Sequence, residues 1–166
     1  MTDKKDESSL LKGVAAAGLI RNSAVTVFSL SNDGKRQKAL ATAITESDGS
    51  FTIPRILRSQ AVEIVVSGGS YEEESGGNTV DLLNRELRIR LASFEPGQKI
   101  GITPITEMAA ARSEKLLSDG ATLSDSIKTA NTNLAEATGL SDITVPPVFP
   151  KDAVANGVGL KSNPVK

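Results

Sequence analysis

The chain has no cysteine, no histidine and no tryptophan, and its single tyrosine is Tyr71. These absences exclude thiol nucleophiles, histidine-based triads, tetrahedral zinc sites, haem ligation and iron–sulfur clusters. Aromatic residues make up 3% and comprise Phe28, Phe51, Phe94, Phe149 and Tyr71. Stacking platforms for bases or sugars are therefore nearly missing. Charge of one sign is missing too: 19 Lys and Arg against 20 Asp and Glu leave a net charge of −1. The two signs are spread evenly, so neither a phosphate-neutralising face nor a polybasic membrane-binding segment is expected. The longest apolar run without a charge, Gly13 to Ile20, is far short of the about 20 residues that span a bilayer. Lack of cysteine fits an oxidising or a reducing compartment equally. The opening residues, Met1 to Ser9, are polar and hold no hydrophobic signal core.

With 166 residues and 39% apolar side chains, the chain has room for one domain of ordinary size plus an appendage. Residues 1–9 read as a disordered leader. From Leu10 to Ile102 short Val-, Ile- and Thr-rich segments alternate with Gly, Asn, Asp and Ser. Strands are predicted at Ser23–Leu30, Lys38–Thr45, Ser50–Ile53, Ala61–Ser67 and Glu86–Ala92, with weaker ones at Leu10–Ala17, Asn78–Leu83 and Lys99–Ile102. Ser31-Asn32-Asp33-Gly34 and Glu46-Ser47-Asp48-Gly49 are turns whose glycines supply a positive φ. Ala61–Ser67 is the most apolar segment and is read as a central strand. In Glu86–Ala92, Leu87, Ile89 and Leu91 alternate with Arg88 and Arg90, which places the leucines and isoleucine inside and the arginines in water. The expected core is Val25, Val27, Phe51, Ile64, Val66, Leu87, Ile89 and Leu91. This pattern predicts a mainly β protein, an antiparallel sandwich of about seven strands.

At Thr103 the pattern changes. Thr103 and Pro104 suit an N-cap and the first helical position, and Glu107 lies where the helix dipole favours an anion. Ile105, Met108, Ala109 and Leu116 form one apolar stripe, and Gly120 ends the helix. A second helix begins after Thr122, with Asp125 three residues on, carries Leu123, Ile127, Ala130 and Leu134 on one face, and ends at Gly139. The organisation expected is a leader at 1–9, a β-sandwich over 10–102, an α-helical hairpin over 103–140, and an extended tail over 141–166 that lies against the helices. Two helices bury too little surface alone and must pack on the sandwich or on further chain.

The only acid–base chemistry such a composition offers is paired carboxylates, and nothing in the sequence marks two as buried and convergent. Gly68-Gly69-Ser70-Tyr71-Glu72-Glu73-Glu74-Ser75-Gly76-Gly77, with Asn78 beside it, is a glycine-bounded loop with three successive carboxylates. Tyr71, Glu72, Glu73, Glu74 and Asn78 are the candidate binding residues. Converging carboxylates would suit an oxygen-ligated Ca²⁺, but adjacent residues of extended chain point to opposite sides. The reading adopted is a solvated loop, with Tyr71 packed on the sheet beneath. Asp48-Gly49-Ser50 is read as a hairpin turn rather than a calcium fragment. No catalytic residue, metal ligand or cofactor is assigned, and the chain is expected not to be an enzyme.

Val14–Leu30 resembles the opening of carboxypeptidase-regulatory-like, transthyretin-like sandwich domains, in which a glycine-containing strand leads to an Ala-Val-Thr-Val strand. Thr45-Glu46-Ser47-Asp48-Gly49-Ser50-Phe51 is similar to their Thr-Asp-x-x-Gly-x-Phe hairpin, with Glu46 where Asp is commoner. The Tyr71 segment is similar to a Gly-Gly-x-Tyr-x-Asp-Glu loop, and Thr103-Pro104-Ile105-Thr106-Glu107-Met108-Ala109 to a Thr-Pro-Leu-Thr-Glu-Leu-Ala helix start. Ala130-Asn131-Thr132 and Ser141-Asp142-Ile143-Thr144 match the continuation. The ordered set, from about residue 10 to 148, resembles uncharacterised bacterial cell-envelope lipoproteins with an Ig-like or prealbumin-like sandwich ahead of a helical region. The resemblance implies export, a lipidation signal that precedes these residues, and a longer chain beyond the Pro-Pro segment.

The expected function is that of a non-catalytic structural or adhesive module of a bacterial surface protein. The alternatives are a glycan- or peptide-binding sandwich, and a surface-assembly subunit joined by strand pairing through the ends Leu10–Ala17 and Val154–Leu160. Another envelope protein or a glycan is the expected partner, with no nucleic acid and no direct membrane insertion by this chain.

Overall fold

The computed structural model describes residues 11–53, 60–72, 77–82, 85–95 and 97–147. The strands are β1 (Leu11–Ala15), β2 (Ala24–Leu30), β3 (Arg36–Ile44), β4 (Ser50–Ile53), β5 (Val62–Ser67), β6 (Ser70–Glu72), β7 (Thr79–Asp81), β8 (Glu86–Leu91) and β9 (Lys99–Ile102). Two helices follow, α1 (Pro104–Ser118) and α2 (Leu123–Thr138). The leader and the segment after Pro147 lie outside the described residues.

Among the described residues the nine strands form three sheets: a large one in the order β3-β2-β5-β8, a small one in the order β4-β1-β9, and the ribbon β6-β7. This differs from the expected seven antiparallel strands in two ways. β6 and β7 pair with each other as a ribbon of their own, and β1 pairs parallel with β9 while pairing antiparallel with β4. Parallel pairing arises because the chain crosses the whole β region before β9 returns beside β1. No alternation in a single segment reveals such a long-range pairing.

The core lies between the large and small sheets. Val25, Val27, Ile64, Val66, Ile89 and Leu91 enter it from one side, and Leu11, Phe51, Ile53, Ile100 and Ile102 from the other. Leu87 is half-buried and packs against this cluster. Phe51, on β4, enters just after the turn that precedes this strand. There the Gly49 N–H donates to the Glu46 carbonyl at 2.9 Å, and Gly49 has φ +80°. Asp48 Oδ1 accepts from both the amide and the hydroxyl of Ser50, which makes this segment a tight turn; it is not the expected hairpin, because it carries the chain from β3 in the large sheet to β4 in the small one, where β4 pairs with β1.

The helices form a third layer. Thr103 caps α1 with its hydroxyl, and Thr106 reciprocates on the Thr103 amide. The Thr122 side chain accepts from the Asp125 amide, and Gly139 closes α2 in the left-handed conformation. Thr106, Ala109, Ala110 and Ser113 are the buried face of α1. Met108, expected in the apolar stripe, is 58% exposed. The correction has a steric cause: short side chains let the helix axis come close to β8, and a methionine on that face would hold it away. The small residues also bring α1 against α2, where Ala109, Ala130, Leu134, Ala135 and Ile143 form a second cluster.

The tail divides between two neighbours. Ile143 joins the helical cluster, whereas the Thr144 carbonyl accepts from the Gly101 amide at 2.8 Å. A Cβ on Gly101 would meet the Cα of Pro146 at 2.8 Å. Part of the segment expected to lie on the helices, residues 144–147, thus covers β9 at Gly101. Among the described residues no helix is long and apolar enough to cross a membrane.

Candidate functional site

Tyr71 and Glu72 belong to β6 rather than to an open loop. Tyr71 pairs with Val80 and Glu72 with Thr79, and the Arg21 and Ser70 amides exchange hydrogen bonds across the neighbouring bridge. Tyr71 is half-buried and packs against the main core, with its ring so close to Gly18 that a Cβ there would sit 2.8 Å from Cδ2. Glu72 approaches Arg21 at 3.6 Å in an exposed pair, of the kind that contributes little. Asn78 is exposed just before β7. Glu73 and Glu74 lie outside the described residues. Among the described residues no group of three acidic side chains gathers around a common point.

The most concentrated electrostatic feature is elsewhere, between the large sheet and α1. β5 is buried along almost its whole length because both its faces are covered. Its even positions fill the sandwich, and Glu63 and Val65 face the helical layer. In register, Glu63 lies between Phe28 on β2 and Arg90 on β8. Glu63 is 1% exposed, and its two oxygens are used separately. Oε1 accepts from Arg36 Nε at 2.6 Å, and Oε2 from Arg90 Nε at 2.8 Å. Arg36 also stands over the Phe28 ring, 5.0 Å from its centroid, and reaches Glu86 at 2.9 Å.

Arg88 and Arg90, expected in water, are the corresponding correction. Arg90 is 3% exposed. Besides Glu63 it donates to Ser113 Oγ at 3.3 Å and to the Gly34 carbonyl at 2.9 Å. Arg88 grips Glu107 in a fork, at 3.0 Å from Nε to Oε1 and 2.8 Å from Nη2 to Oε2, and reaches Glu114 at 2.9 Å. Glu107 and Glu114 are seven residues apart, two turns along one side of α1. Asn131 of α2 completes the seam by donating to the Arg90 carbonyl at 3.2 Å. Period-two alternation identifies which residues share a face, but not whether water or a helix covers that face.

The electrostatics follow from the geometry. Burial pushes the Glu63 carboxyl up, but the hydrogen bonds and charges of Arg36 and Arg90 outweigh it and hold the group below its ordinary value. The hydrogen bonds to Glu107, and less strongly those to Glu114, raise Arg88 against the opposing effect of burial. Burial also lowers Arg36, and Glu86 and Glu63 reverse it. Glu63, Arg36 and Arg88 therefore remain charged across the physiological range. The charges of the cluster are bound to one another, four carboxylates against three guanidinium groups.

One sequence signal pointed to the seam: Glu63 is the only charge inside the apolar run Ala61–Ser67. A charge in a doubly covered strand needs partners, and the neighbouring strand supplies alternating arginines.

No family model matches the chain, and no curated protein is similar to it. Among solved structures, a DUF3823 family protein from Parabacteroides merdae is a distant neighbour, with a TM-score of 0.38 and 9% identity. The similarity covers 57% of this chain and 44% of that one.

Proposed function

We propose that this chain is a non-catalytic structural or adhesive module of the bacterial cell envelope, built on a sandwich of the carboxypeptidase-regulatory-like type. The observation that carries the reading is the seam of Glu63, Arg88 and Arg90 with Glu107 and Glu114. It ties the helical hairpin to the sandwich through the two-point grip of Arg88 on Glu107 and the single contacts of Arg88 and Arg90 with Glu114, and the two-point contact resists displacement better than a single one does. The charges that would serve chemistry in an enzyme are bound here to one another. A rigid body of this kind suits a spacer or a presenting module. The resemblance of the Val14–Leu30, Thr45–Phe51 and Thr103–Ala109 segments to exported envelope proteins is what supports the location.

The test has two parts. Antibody raised against the chain should label intact native cells, or cells whose outer layer alone is opened, and the protein should sediment with envelopes. Recovery only from the cytosol refutes the location. Purified protein should leave ester, peptide and glycoside substrates unchanged, and enzyme-level turnover that persists through repurification refutes the non-catalytic half. In the strand-pairing alternative, β1 already has both edges in use, against β4 and β9. Exchange of residues 10–17 between copies would therefore vacate the middle of the small sheet.

A further inference from the structure

The outer face of the small sheet carries a feature that the seam does not explain. Lys12 on β1 lies in register with Lys99 on β9 and, on its other side, with Thr52 on β4. Thr52, Lys12 and Lys99 therefore stand in one row across three adjacent strands, about 4.8 Å apart from strand to strand. Both lysines are exposed, and among the described residues neither has an ion-pair partner. Like charges directly opposite on neighbouring strands repel and destabilise the pair.

Lysines are common on exposed edge strands, where they block pairing with other chains. That account does not reach Lys12. β1 is the centre strand of its sheet, and the outer side of β9 carries Thr144 and Pro146 at Gly101. The row instead borders a groove of about 260 Å³ whose walls include Lys12, Lys99, Thr52, Val14 and Pro146. The Ser50 hydroxyl at the groove's other end is already given to Asp48. Two ammonium groups, one free hydroxyl and an apolar edge thus converge on one shallow depression.

We propose that this groove binds an anionic polysaccharide through a carboxylate held between Lys12 and Lys99. The two ammonium groups supply the counter-charge, Thr52 a hydroxyl partner, and Val14 and Pro146 a surface for the C–H face of a sugar ring. A peptide strand is disfavoured because β1 has no open edge for main-chain pairing. A nucleic acid is disfavoured because two lysines on a chain of net charge −1 neutralise too few phosphates. The proposal adds a ligand class to the adhesive half of the reading above. It rests on that reading only for its biological setting, so loss of envelope location leaves it intact and failure of binding leaves the envelope reading intact.

The experiment titrates the purified chain with polygalacturonate oligomers in low-salt buffer, by calorimetry. Binding is expected, and it should weaken as salt rises. Lys12→Gln and Lys99→Gln should each reduce affinity about fivefold, the size of one exposed ion pair, and the double variant should reduce it by more than either. Lys115→Gln, on α1, should change nothing. No binding to polygalacturonate, or equal affinity in all variants, overturns the proposal. Equal binding of neutral dextran overturns the role of charge, and tighter binding of poly-glutamate replaces the glycan by an acidic peptide. A readout without ligand accompanies these: each single lysine variant should melt at the same temperature as the parent or about 1 °C higher, because repulsion is relieved. A clear drop in melting temperature contradicts the unpaired state of the two lysines.

Discussion

Glu63 is the side chain on which the others depend. Glu63→Gln keeps the size and removes the charge, leaving Arg90 buried beside a neutral amide. Stranding one partner of a buried ion pair costs about 3–5 kcal/mol, and that loss should appear in urea melts. Replacing Glu63 and Arg90 together by leucine should recover much of it, since an apolar pair needs no counter-charge. A loss below about 1 kcal/mol in Glu63→Gln would show that water reaches the pair. The same residue sets an acid limb. Its folded pKa is depressed, so its stabilisation is present above the unfolded value of about 4.3 and fades as pH falls through that value towards the folded one. The stability gap between parent and Glu63→Gln should therefore be flat from pH 6 upward and shrink below about pH 4.3. A gap that widens in acid contradicts the assignment. Gly49 tests the turn between β3 and β4. Its φ is +80°, and a Cβ would stand 2.7 Å from the Ala15 carbonyl oxygen. Gly49→Val should lose at least about 1–2 kcal/mol from strain alone, and a parent-like urea midpoint would show that the turn readily adjusts.

At the level of elements, local signals were read well and partners less so. β2, β4, β5, β8 and β9 lie within a residue or so of their expected limits, because each combines period-two apolar residues with a turn at its end. The helix boundaries were equally legible, since Thr103, Pro104, Thr122 and Gly139 act on their immediate neighbours. β6 was not: it is three residues long, glycines precede it, and its partner strand lies beyond a further glycine pair. The seam draws on β3, β5, β8 and α1, which no single window of sequence contains. One prediction isolates the capping of α1. Thr103→Ala removes the acceptor for the Ile105 and Thr106 amides and should cost about 1 kcal/mol. Hydrogen exchange should quicken first in the opening turn of α1, and uniform acceleration along the helix would point to global rather than local opening.

Considered as a whole molecule, the seam decides whether the layers unfold together. The sandwich has a continuous apolar core of its own, whereas the hairpin has a small cluster of alanines and Leu134 with Ile143. Two helices of this length are marginal without tertiary support. Their attachment to β8 runs through Arg88, Arg90 and Asn131, and helix stability is thereby tied to sheet stability. The sequence pattern alone left the hairpin two possible supports, the sandwich or further chain, and the buried arginines identify the first. Two native probes report the layers separately. Circular dichroism at 222 nm is dominated by α1 and α2, and Tyr71, the only tyrosine in a chain without tryptophan, reports the β6 side of the sandwich. In the parent the two urea transitions should coincide, as a single cooperative unit requires. In Arg88→Gln the Glu107 fork is lost and Glu114 is left to Arg90, so the helical transition should move to lower urea ahead of the tyrosine transition. Separate transitions already present in the parent would mean that the hairpin is a loosely attached appendage. Transitions that stay together in Arg88→Gln would mean that the apolar contacts of α1 with β8 suffice to couple the layers without the Arg88 pairs.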